Sequence, residues 1–502
     1  MRQNPPNPLS QGGTQPHHPT TQPSHYFAFT LGREWKLSLA ELFAVWGEEA
    51  YIEHSETVAI FQIFGYSDEQ IQKRFLTIGG SIRVMKIVGE TDPKRFPTDV
   101  IQYIESSKVR RFEGSNSSDA NPPTYQPTKI QFALGAYGLD FQLSNIGLRI
   151  KKTLQEKGFS VRLVNTENKN IVSAVFKRER LWKTGLEFNL IQIPLTPFIK
   201  GGWNQEDSYL IPHTSYLTVT LACQDIDAYT RRDTGKSRDM VVGMMPPKLV
   251  QMMINIALSS TQPTNSPTHQ PTIYDPFCWL GTTLIEAANM GITHVYGSDL
   301  SSEMVSASRE SLTAFIKEEM IWQERILAVG GTPNKDLSKF ESDIFQLDAR
   351  KIRTGLERIL SSSKNPALQH SNISIVSEWY LGEMMSPRDI TLEKVQSERK
   401  KLISLYTDFF RGISDFPSSG SKNSTFQHSN IPTLTIIMSF PFWNMHGTYS
   451  YFIEIYDVLE KYGFRVIDLL PGDMHLNTRK WSLLYRRENQ TVGREIVKIV
   501  RK

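Results

Sequence analysis

The sequence predicts an α/β domain with a mostly parallel sheet, preceded by two smaller α+β domains. Short strands and helices alternate closely between 26 and 222, whereas helix-length segments separate the predicted strands of 223–502. Helix-length connections are typical of parallel strands, because neighbouring parallel strands require a long crossover. In addition, three successive strands of the later region are each followed closely by an acidic residue. Ligands of such sheets bind beyond the carboxyl ends of the strands.

The composition indicates a globular protein of several domains. At 502 residues, with 39% hydrophobic and 22% charged residues, the chain is too long for a single hydrophobic core. No apolar run approaches the roughly 20 residues that cross a bilayer, and the polar, Pro-rich N-terminus lacks the apolar segment of a signal peptide. The two cysteines, Cys223 and Cys278, exclude a disulfide framework and a four-cysteine zinc site. We therefore expect a cytoplasmic protein without a membrane span.

Changes in composition predict the domain boundaries. Stretches rich in Ser, Thr, Pro and Asn bury too little apolar surface to fold alone, so they are expected to form linkers or surface insertions. The predicted organisation is a disordered tail at 1–25, a first α+β domain at 26–113, a linker at 114–128, a second domain at 129–222, and an α/β domain at 223–502 with polar insertions near 259–272 and 416–433.

The second domain is predicted to carry a basic surface. Its segment "NIGLRIKKTLQEKG" has the periodicity of an amphipathic helix, and "SAVFKRERL" (173–181) is predicted to be a strand. The candidate RNA-binding residues of this region and of the segment after it are Lys151, Lys152, Lys177, Arg178, Arg180, Arg231 and Arg232. Such a cluster is either a solvated surface or a surface that follows phosphates, and both readings stay open.

The acidic strand ends predict a site for a ligand that contains a nucleoside. In "YDPFCWLGTT" a strand ends at Asp275, and a helix begins at Thr282 or Thr283, where backbone N–H groups face a polar ligand. Asp299 ends the next strand at a spacing that suits hydrogen bonds from ribose hydroxyls. Asp348 follows a third strand, placed to meet the adenine amino group. Neither G-x-G-x-x-G nor a phosphate-binding loop is present.

These motifs resemble a known cofactor site. The series D-P-F-C-x-x-G-T, G-S-D and D-A resembles the S-adenosylmethionine (SAM) site of class I methyltransferases, and among these the nucleic-acid enzymes whose first motif is D-P-F-C-G-S-G-T. The resemblance implies a Rossmann-like domain with SAM as cofactor and no metal. The implied SAM-binding residues are Asp275, Phe277, Cys278, Gly281, Thr282, Asp299, Leu300, Asp348 and Ala349. Cys278 is interpreted as a small packing residue rather than a nucleophile.

The following strand, "ISIVSEWYLGEMM", is expected to carry the methyl-acceptor side. In the resembled enzymes this strand ends in an Asp/Asn-Pro-Pro-Tyr type of tetrapeptide, whose oxygen accepts a hydrogen bond from an exocyclic amine while an aromatic ring stacks on the base. Here Glu378 stands at the acidic position, and Trp379 and Tyr380 are the candidate stacking residues. The prolines are absent. The alternative is that both aromatic residues belong to the core.

Two further segments resemble THUMP-containing tRNA guanosine-N2 methyltransferases of the archaeal and eukaryotic position-10 type. They are 26–47, with its L-G-x-x-x-x-L-S-x-A-E-L pattern, and 224–257. The resemblance implies that a ferredoxin-like domain comes first, that a THUMP domain at 129–222 binds tRNA, and that the last domain methylates guanosine N2. It leaves open a small activating protein subunit as a second partner.

Trp279 departs from the resembled motif, which has glycine at this position. A large side chain there either points away from the cofactor, covers it as a lid, or damages the site. We expect the first outcome. The alternative functions are a non-catalytic RNA-binding protein on a degenerate methyltransferase fold, and an N-methyltransferase that acts on another RNA or DNA amino group.

Overall fold

A computed structural model of the chain describes residues 24–112, 130–165, 167–193, 215–234, 245–259, 271–328, 335–362, 372–383, 385–417, 433–477, 482–488 and 490–502. Nearly all of the predicted tail, the whole predicted linker and most of the two predicted insertions lie outside these residues. Within them, no helix is both long enough and apolar enough to cross a membrane.

The N-terminal half contains eight strands and six helices among its described residues. In chain order they are β1 (Ser24–Leu31), α1 (Trp35–Trp46), β2 (Tyr51–His54), β3 (Val58–Phe64), α2 (Asp68–Phe75), β4 (Ser81–Thr91), α3 (Phe96–Phe112), β5 (Ile130–Tyr137), α4 (Leu143–Glu156), β6 (Val161–Leu163), α5 (Ser173–Arg178), α6 (Leu181–Thr184), β7 (Gly185–Gln192) and β8 (Ser215–Cys223).

These strands form one sheet in the order β2-β3-β1-β4-β8-β7-β5-β6. The first four strands and their two helices have the β-α-β-β-α-β element order of ferredoxin-like folds. Strand β8 pairs with β4 on one side and β7 on the other, so the two predicted N-terminal domains are halves of a continuous sheet. The THUMP identity of the second half stays a prediction.

The predicted strand at 173–181 is wrong, because this segment forms α5 and α6. The reason is topological. Strands β6 and β7 both pair with β5 in parallel, on opposite sides. A parallel connection of this kind needs a crossover, usually helical, whatever the β propensity of Val175 and Phe176. Phe176 and Leu181 bury themselves in a small cluster with Ala133 of β5.

Two helices, α7 (Ile226–Thr234) and α8 (Pro247–Leu258), lead from this sheet to the C-terminal domain. Helix α8 is buried along nearly its whole length, because it contacts α1 and also three elements of the C-terminal domain. These elements are α9 (Thr282–Asn289), β12 (Ile373–Glu378) and β13 (Leu434–Met445). Its Asn255 Nδ2 donates to Glu41 Oε1 of α1 at 2.7 Å. A single hydrophobic cluster therefore extends from Phe29 of β1 through Leu249 of α8 to Ile437 of β13.

The elements of the C-terminal domain follow in chain order. They are β9 (Thr272–Asp275), α9 (Thr282–Asn289), β10 (His294–Asp299), α10 (Ser302–Ala328), β11 (Glu341–Gln346), α11 (Ile352–Ser362), β12 (Ile373–Glu378), α12 (Leu392–Ser414), β13 (Leu434–Met445), β14 (Thr448–Tyr451), α13 (Glu454–Lys461), β15 (Phe464–Ile467), β16 (Leu483–Tyr485) and β17 (Val492–Arg501).

The main path of this sheet runs β11-β10-β9-β12-β13-β17-β15. Its first five strands are parallel, and β17 is antiparallel to both β13 and β15. Every residue of β9 and β12 is buried, as expected for central strands covered on both faces. Numbered within the domain, the parallel strands have the order 3-2-1-4-5 of a Rossmann-like sheet, so the predicted fold class is confirmed. The order in which the chain adds strands to the sheet reverses between β9 and β12, and the ligand crevice of such a sheet lies at that switch point.

Candidate active site

Asp275 holds the loop that follows β9. Its Oδ1 accepts hydrogen bonds from the Phe277 N–H at 3.0 Å and from the Ser377 hydroxyl of β12 at 2.6 Å, and the Thr283 hydroxyl donates to the same carboxylate. Burial raises the pKa of Asp275 to about 6, and these hydrogen bonds oppose the rise. The carboxylate therefore joins the loop to both strands of the switch point and to the start of α9.

Two residues of the loop adopt left-handed backbone conformations. Trp279 has φ +46° and Gly281 has φ +80°. A Cβ at Gly281 would lie 2.7 Å from Ser308 Oγ of α10, which explains the glycine at this position. Trp279 has a Cβ and therefore lacks the conformational freedom of glycine, although it occupies the backbone conformation that glycine favours. Its side chain is half-buried and belongs to none of the hydrophobic clusters in the described part of the chain.

Cys278 is a packing residue. Its N–H donates to the Ser298 carbonyl of β10 at 3.0 Å. Its side chain lies against Gly297, where an added Cβ would stand 3.1 Å from the cysteine Cβ and 3.3 Å from Sγ. Burial raises the pKa of the thiol. A buried, protonated thiol is a poor nucleophile, so the geometry supports the packing interpretation.

Asp299 ends β10 and faces the same loop. Its Oδ2 accepts the Trp279 N–H at 3.1 Å, and its Oδ1 accepts the Ser301 N–H at 3.0 Å. Burial raises the pKa of this carboxyl, and the backbone N–H groups partly offset the rise. A carboxylate has about four acceptor positions, and the N–H groups of Trp279, Leu300 and Ser301 occupy three of them, so capacity for one ligand hydroxyl remains. The adjacent Leu300 is 65% exposed and adds an apolar surface beside the carboxylate.

Asp348 lies two residues beyond β11 and caps a short turn of 3-10 helix at Ala349–Lys351. Its Oδ1 accepts the Arg350 N–H at 3.0 Å, and both oxygens accept from the Arg350 guanidinium. These hydrogen bonds and the positive charge of Arg350 hold the pKa of Asp348 below its ordinary value. Ala349 is buried beneath this turn. A ligand amino group at Asp348 must therefore share or displace the Arg350 side chain.

The end of β12 carries an ion pair that the sequence did not reveal. The guanidinium of Arg494, on β17, contacts Glu378 Oε1 through Nε and Nη2, and both side chains are buried. Burial raises the pKa of Glu378, and Arg494 opposes that rise. Glu378 Oε2 has no hydrogen bond from any described residue and remains available as an acceptor. The one sequence signal for Arg494 is a charged residue in the strand-like run "VGREIVKIV".

Trp379 is not a stacking residue, which corrects the prediction. Its side chain is only 1% exposed. Its ring lies 4.4 Å from that of Tyr406 and 4.3 Å from that of Phe409, and it stacks on Phe410 at 5.7 Å. No face of the indole is free for a substrate base. Tyr380 is 36% exposed, and its carbonyl accepts the Tyr406 hydroxyl at 3.0 Å, so Tyr380 alone of the predicted pair can offer a ring.

Six of the seven predicted RNA-binding residues lie on three helices, α4, α5 and α7, and Arg180 lies between α5 and α6. Lys151 and Lys152 lie on α4, where Lys152 is exposed and 4.0 Å from Glu156. Exposed Lys177 and Arg178 lie on α5, and Lys177 forms an ion pair with Asp225 at 2.8 Å.

The remaining three predicted RNA-binding residues differ from one another. Arg180 is exposed, with φ +52°, and Arg231 on α7 is also exposed. Arg232 is not: its Nε donates to the fully buried carboxylate of Glu286 at 2.7 Å, and its side chain is 10% exposed. The prediction for Arg232 is therefore wrong, because a residue that neutralises a buried carboxylate is not available to a phosphate.

Among the described residues, no group of three or more His, Cys, Asp or Glu side chains could hold a metal ion. The candidate site is thus built from Asp275, Asp299 and Asp348 along one edge of the sheet, with Glu378 and Tyr380 across the switch point.

Comparisons with known proteins give one sequence relationship and several structural ones. No protein-family model matches the chain. A curated protein, the tRNA (guanine(10)-N2)-dimethyltransferase of Methanothermobacter thermautotrophicus, is 34% identical over 110 residues, which are 22% of this chain and 30% of that protein. The chain therefore matches less than a third of the length of this relative.

Two solved structures illustrate the structural relationships. TrmN from Thermus thermophilus has 14% identity and a TM-score of 0.41, covering 95% of this chain and 100% of that one. NSun6 from Pyrococcus horikoshii, solved with SFG, has 14% identity and a TM-score of 0.27, covering 46% of this chain and 47% of that one. At these scores, the assignment of the C-terminal domain as Rossmann-like depends on its own strand order.

Proposed function

We propose that this chain is a SAM-dependent tRNA methyltransferase that transfers a methyl group to the exocyclic N2 amine of a guanosine. The observation that carries the proposal is the arrangement of Asp275, Asp299 and Asp348 on consecutive strands at one sheet edge, with Glu378 and Tyr380 directly across the switch point. The curated relative, named as a tRNA guanine-N2 dimethyltransferase, supports tRNA as substrate and N2 as acceptor.

The residues present fit SAM at three points. Asp299 keeps acceptor capacity for one ribose hydroxyl beside its three backbone N–H donors. Leu300 offers an exposed apolar side chain for the purine. No side chain caps the start of α9 at Gly281, where backbone N–H groups suit the methionine carboxylate. Asp275, with its hydrogen bonds to Phe277 and Ser377, acts by holding the loop rather than by touching the ligand.

Asp348 contributes to the proposed site only if Arg350 moves. The arginine side chain is about half exposed, so it can leave the carboxylate at small cost when an adenine amino group replaces it.

On the acceptor side, SAM supplies an electrophilic methyl group on a sulfonium sulfur. The amine of guanosine is a weak nucleophile, because its lone pair is delocalised into the ring. Glu378 Oε2 is placed to accept a hydrogen bond from one N2–H, which favours a pyramidal nitrogen. Arg494 fixes the orientation of Glu378 through Oε1. Tyr380 offers its ring to the base. Most of the acceleration then comes from holding both reactants in line.

The exposed cations of α4 and α5 are proposed to contact the tRNA backbone. Lys152 and Arg178 are well exposed, and their carboxylate neighbours are exposed or half-buried. Such ion pairs are weak and exchange readily for phosphate contacts. A small activating protein subunit is also part of the proposal. Activity of the purified chain alone would show that the subunit is dispensable.

The experiment is methyl transfer from labelled SAM to unmodified bulk tRNA, followed by nucleoside analysis of the product. We expect N2-methylguanosine or its dimethyl form. Asp299→Asn should weaken SAM binding about tenfold, the difference between a charged and a neutral acceptor. Asp457→Asn, at an exposed carboxylate on α13, is the matched control and should bind SAM normally.

Two results would change the assignment. N6-methyladenosine as the product would show that the acceptor is another amino group. If SAM binds and methyl incorporation is absent even with tRNA in excess and with cell extract added, the chain is an RNA-binding protein on a methyltransferase fold.

A further inference from the structure

A second cleft, of about 510 Å³, lies away from the carboxyl edge of the C-terminal sheet. Its walls are α2 with the turn that follows it, α7, and the final residues of α9 and α10. Helix α9 starts at the proposed SAM site, and its eight residues extend for about 12 Å. The cleft therefore lies at the opposite edge of the sheet from the proposed methyl-transfer site. Its volume is within the range of small-molecule sites, roughly 300–1,000 Å³.

Two cations of α2 in this cleft lack an ion-pair partner among the described residues. Arg74 is half-buried, and its Nη1 donates to the neutral hydroxyl of Thr77 at 3.2 Å. Glu41 influences Arg74 only at longer range and forms no ion pair with it. Lys73, in the last turn of α2, is exposed and forms no described ion pair. A half-buried guanidinium without a paired carboxylate favours an anionic ligand.

The other cations of the cleft differ in this respect. Arg232 pairs with Glu286 at 2.7 Å, and Lys335 pairs with Glu319 at 2.8 Å. The positive charge available to a ligand is therefore concentrated on α2.

The cleft also offers two exposed aromatic rings. Trp322, on the wall formed by α10, is 58% exposed, and Tyr66, just before α2 and on the same side as the cations, is 43% exposed. Beside Trp322, the Gln323 Nε2 is buried without a hydrogen-bond partner. An unsatisfied buried donor is unfavourable, and an acceptor atom of a ligand would satisfy it. Exposed rings opposite unpaired cations are the usual components of sites for unstacked nucleotides.

We propose that this cleft binds a nucleotide unit, with its phosphate on Lys73 and Arg74, its base against Trp322, and an acceptor atom of the base or sugar on Gln323. The unit belongs either to a single-stranded segment of RNA or to a free nucleoside monophosphate, and the chemistry of recognition is the same. The site is separate from the proposed methyl-transfer site and does not depend on that activity.

The test uses the full chain and fluorescence anisotropy with a short, end-labelled, single-stranded RNA. Trp322→Ala should weaken binding about fivefold or more, which is the loss expected for one stacked base. Ile321→Ala is the matched control, because Ile321 is the exposed neighbour on α10 that does not line the cleft, and it should bind like the parent. Thermal unfolding of both variants checks that they are folded.

The phosphate contact has its own test in the salt dependence of the same binding. Lys73→Ala should reduce the slope of log K against log salt concentration by about 0.7, the effect of one phosphate contact on a single strand. Lys400→Ala, at an exposed lysine on α12, should leave the slope unchanged. Trp322→Ala should also leave it unchanged, because no charge is removed.

Competition with AMP and with inorganic phosphate identifies the ligand. Displacement of the RNA by AMP, and not by an equal concentration of phosphate, supports a site for a nucleotide unit of RNA. Binding of AMP without competition from RNA assigns the site to a free nucleotide. Equal affinities of the Trp322→Ala and Ile321→Ala variants for both RNA and AMP, or equal displacement by phosphate and AMP, would overturn it. SAM binding should be normal in Trp322→Ala, so failure of the methyltransferase proposal would be seen separately.

Discussion

The left-handed backbone at Trp279 leads to a prediction about stability. A residue other than glycine costs about 1–2 kcal/mol at such a position, and Trp279 has φ +46°. Trp279→Gly and Trp279→Ala both remove the indole, so the loss of its packing cancels between them. Alanine ordinarily gains about 0.4–1 kcal/mol over glycine through the unfolded chain. At the midpoints of these two ranges the glycine variant is more stable by about 0.8 kcal/mol, the reverse of the usual order.

Urea unfolding of the two variants, followed through the transition of the C-terminal domain, measures this difference. Gly463→Ala calibrates it, because Gly463 has φ +78° in the same domain and no atom lies within 4 Å of an added Cβ. An alanine variant that is as stable as the glycine variant, or more stable, would refute the assigned backbone conformation.

The same two variants decide what the Trp279 ring does. If the ring points away from the ligand, as we expect, both variants bind SAM within about threefold of the parent chain, a difference below 1 kcal/mol. If the ring covers the ligand as a lid, both lose affinity together, because glycine and alanine remove it equally.

Three further predictions concern stability, pH and turnover. Burial raises the pKa of Glu41 from 4.5 to about 7. The stability contributed by its protonated form is therefore present below pH 4.5 and is lost as pH rises towards 7. In urea unfolding, the free energy of unfolding of Glu41→Gln should rise by on the order of 3 kcal/mol relative to that of the parent between these pH values. A difference that stays constant with pH would contradict this. Arg494→Met leaves Glu378 buried and unpaired, so it should lower the free energy of unfolding by roughly 3–5 kcal/mol. Adding Glu378→Gln to this variant should recover part of that stability. A loss below about 1 kcal/mol in Arg494→Met would show that the pair is not buried. Tyr380→Ala should lower methyl transfer at saturating SAM about fivefold or more if its ring stacks on the base. Trp379→Phe should retain most of the turnover, because the indole is enclosed and its N–H has no partner among the described residues. A larger loss of turnover in Trp379→Phe than in Tyr380→Ala would restore Trp379 as the stacking residue.

The fold of the C-terminal domain was predictable because its central strands are unambiguous. Strands β9 and β12 are short runs without exposed residues, and helix-length segments separate each strand from the next. Parallel connectivity then places Asp275, Asp299 and Asp348 at one edge without any knowledge of side-chain contacts. The spacing of these acids is a local property of the chain, so it could be read directly.

The partner of Glu378 could not be predicted, because it depends on a long-range pairing. Arg494 lies 116 residues away along the chain and meets Glu378 only because β17 inserts beside β13. The hydrophobic periodicity of a strand indicates that it is a strand, but it does not indicate which neighbours the strand pairs with in the sheet. The same limit applies to β8, whose pairing with β4 unites the two N-terminal halves.

Residue type misled the sequence interpretation at Trp379 and Arg232. An aromatic ring after an acidic strand end and an arginine in a basic segment are typical of substrate contacts, yet both are buried here. The difference is set by what packs above them: Tyr406 and Phe409 of α12 enclose the indole, and Glu286 of α9 neutralises the guanidinium. Neither neighbour is close in sequence.

The most direct test of the proposed cofactor site is a calorimetric titration of the purified chain with SAM. We expect one molecule of SAM bound per chain, with an affinity that Asp299→Asn reduces and Asp457→Asn does not. Absence of detectable binding up to millimolar SAM would contradict the assignment of the β9–β12 edge as a cofactor site, and the proposed methyl transfer would fail with it.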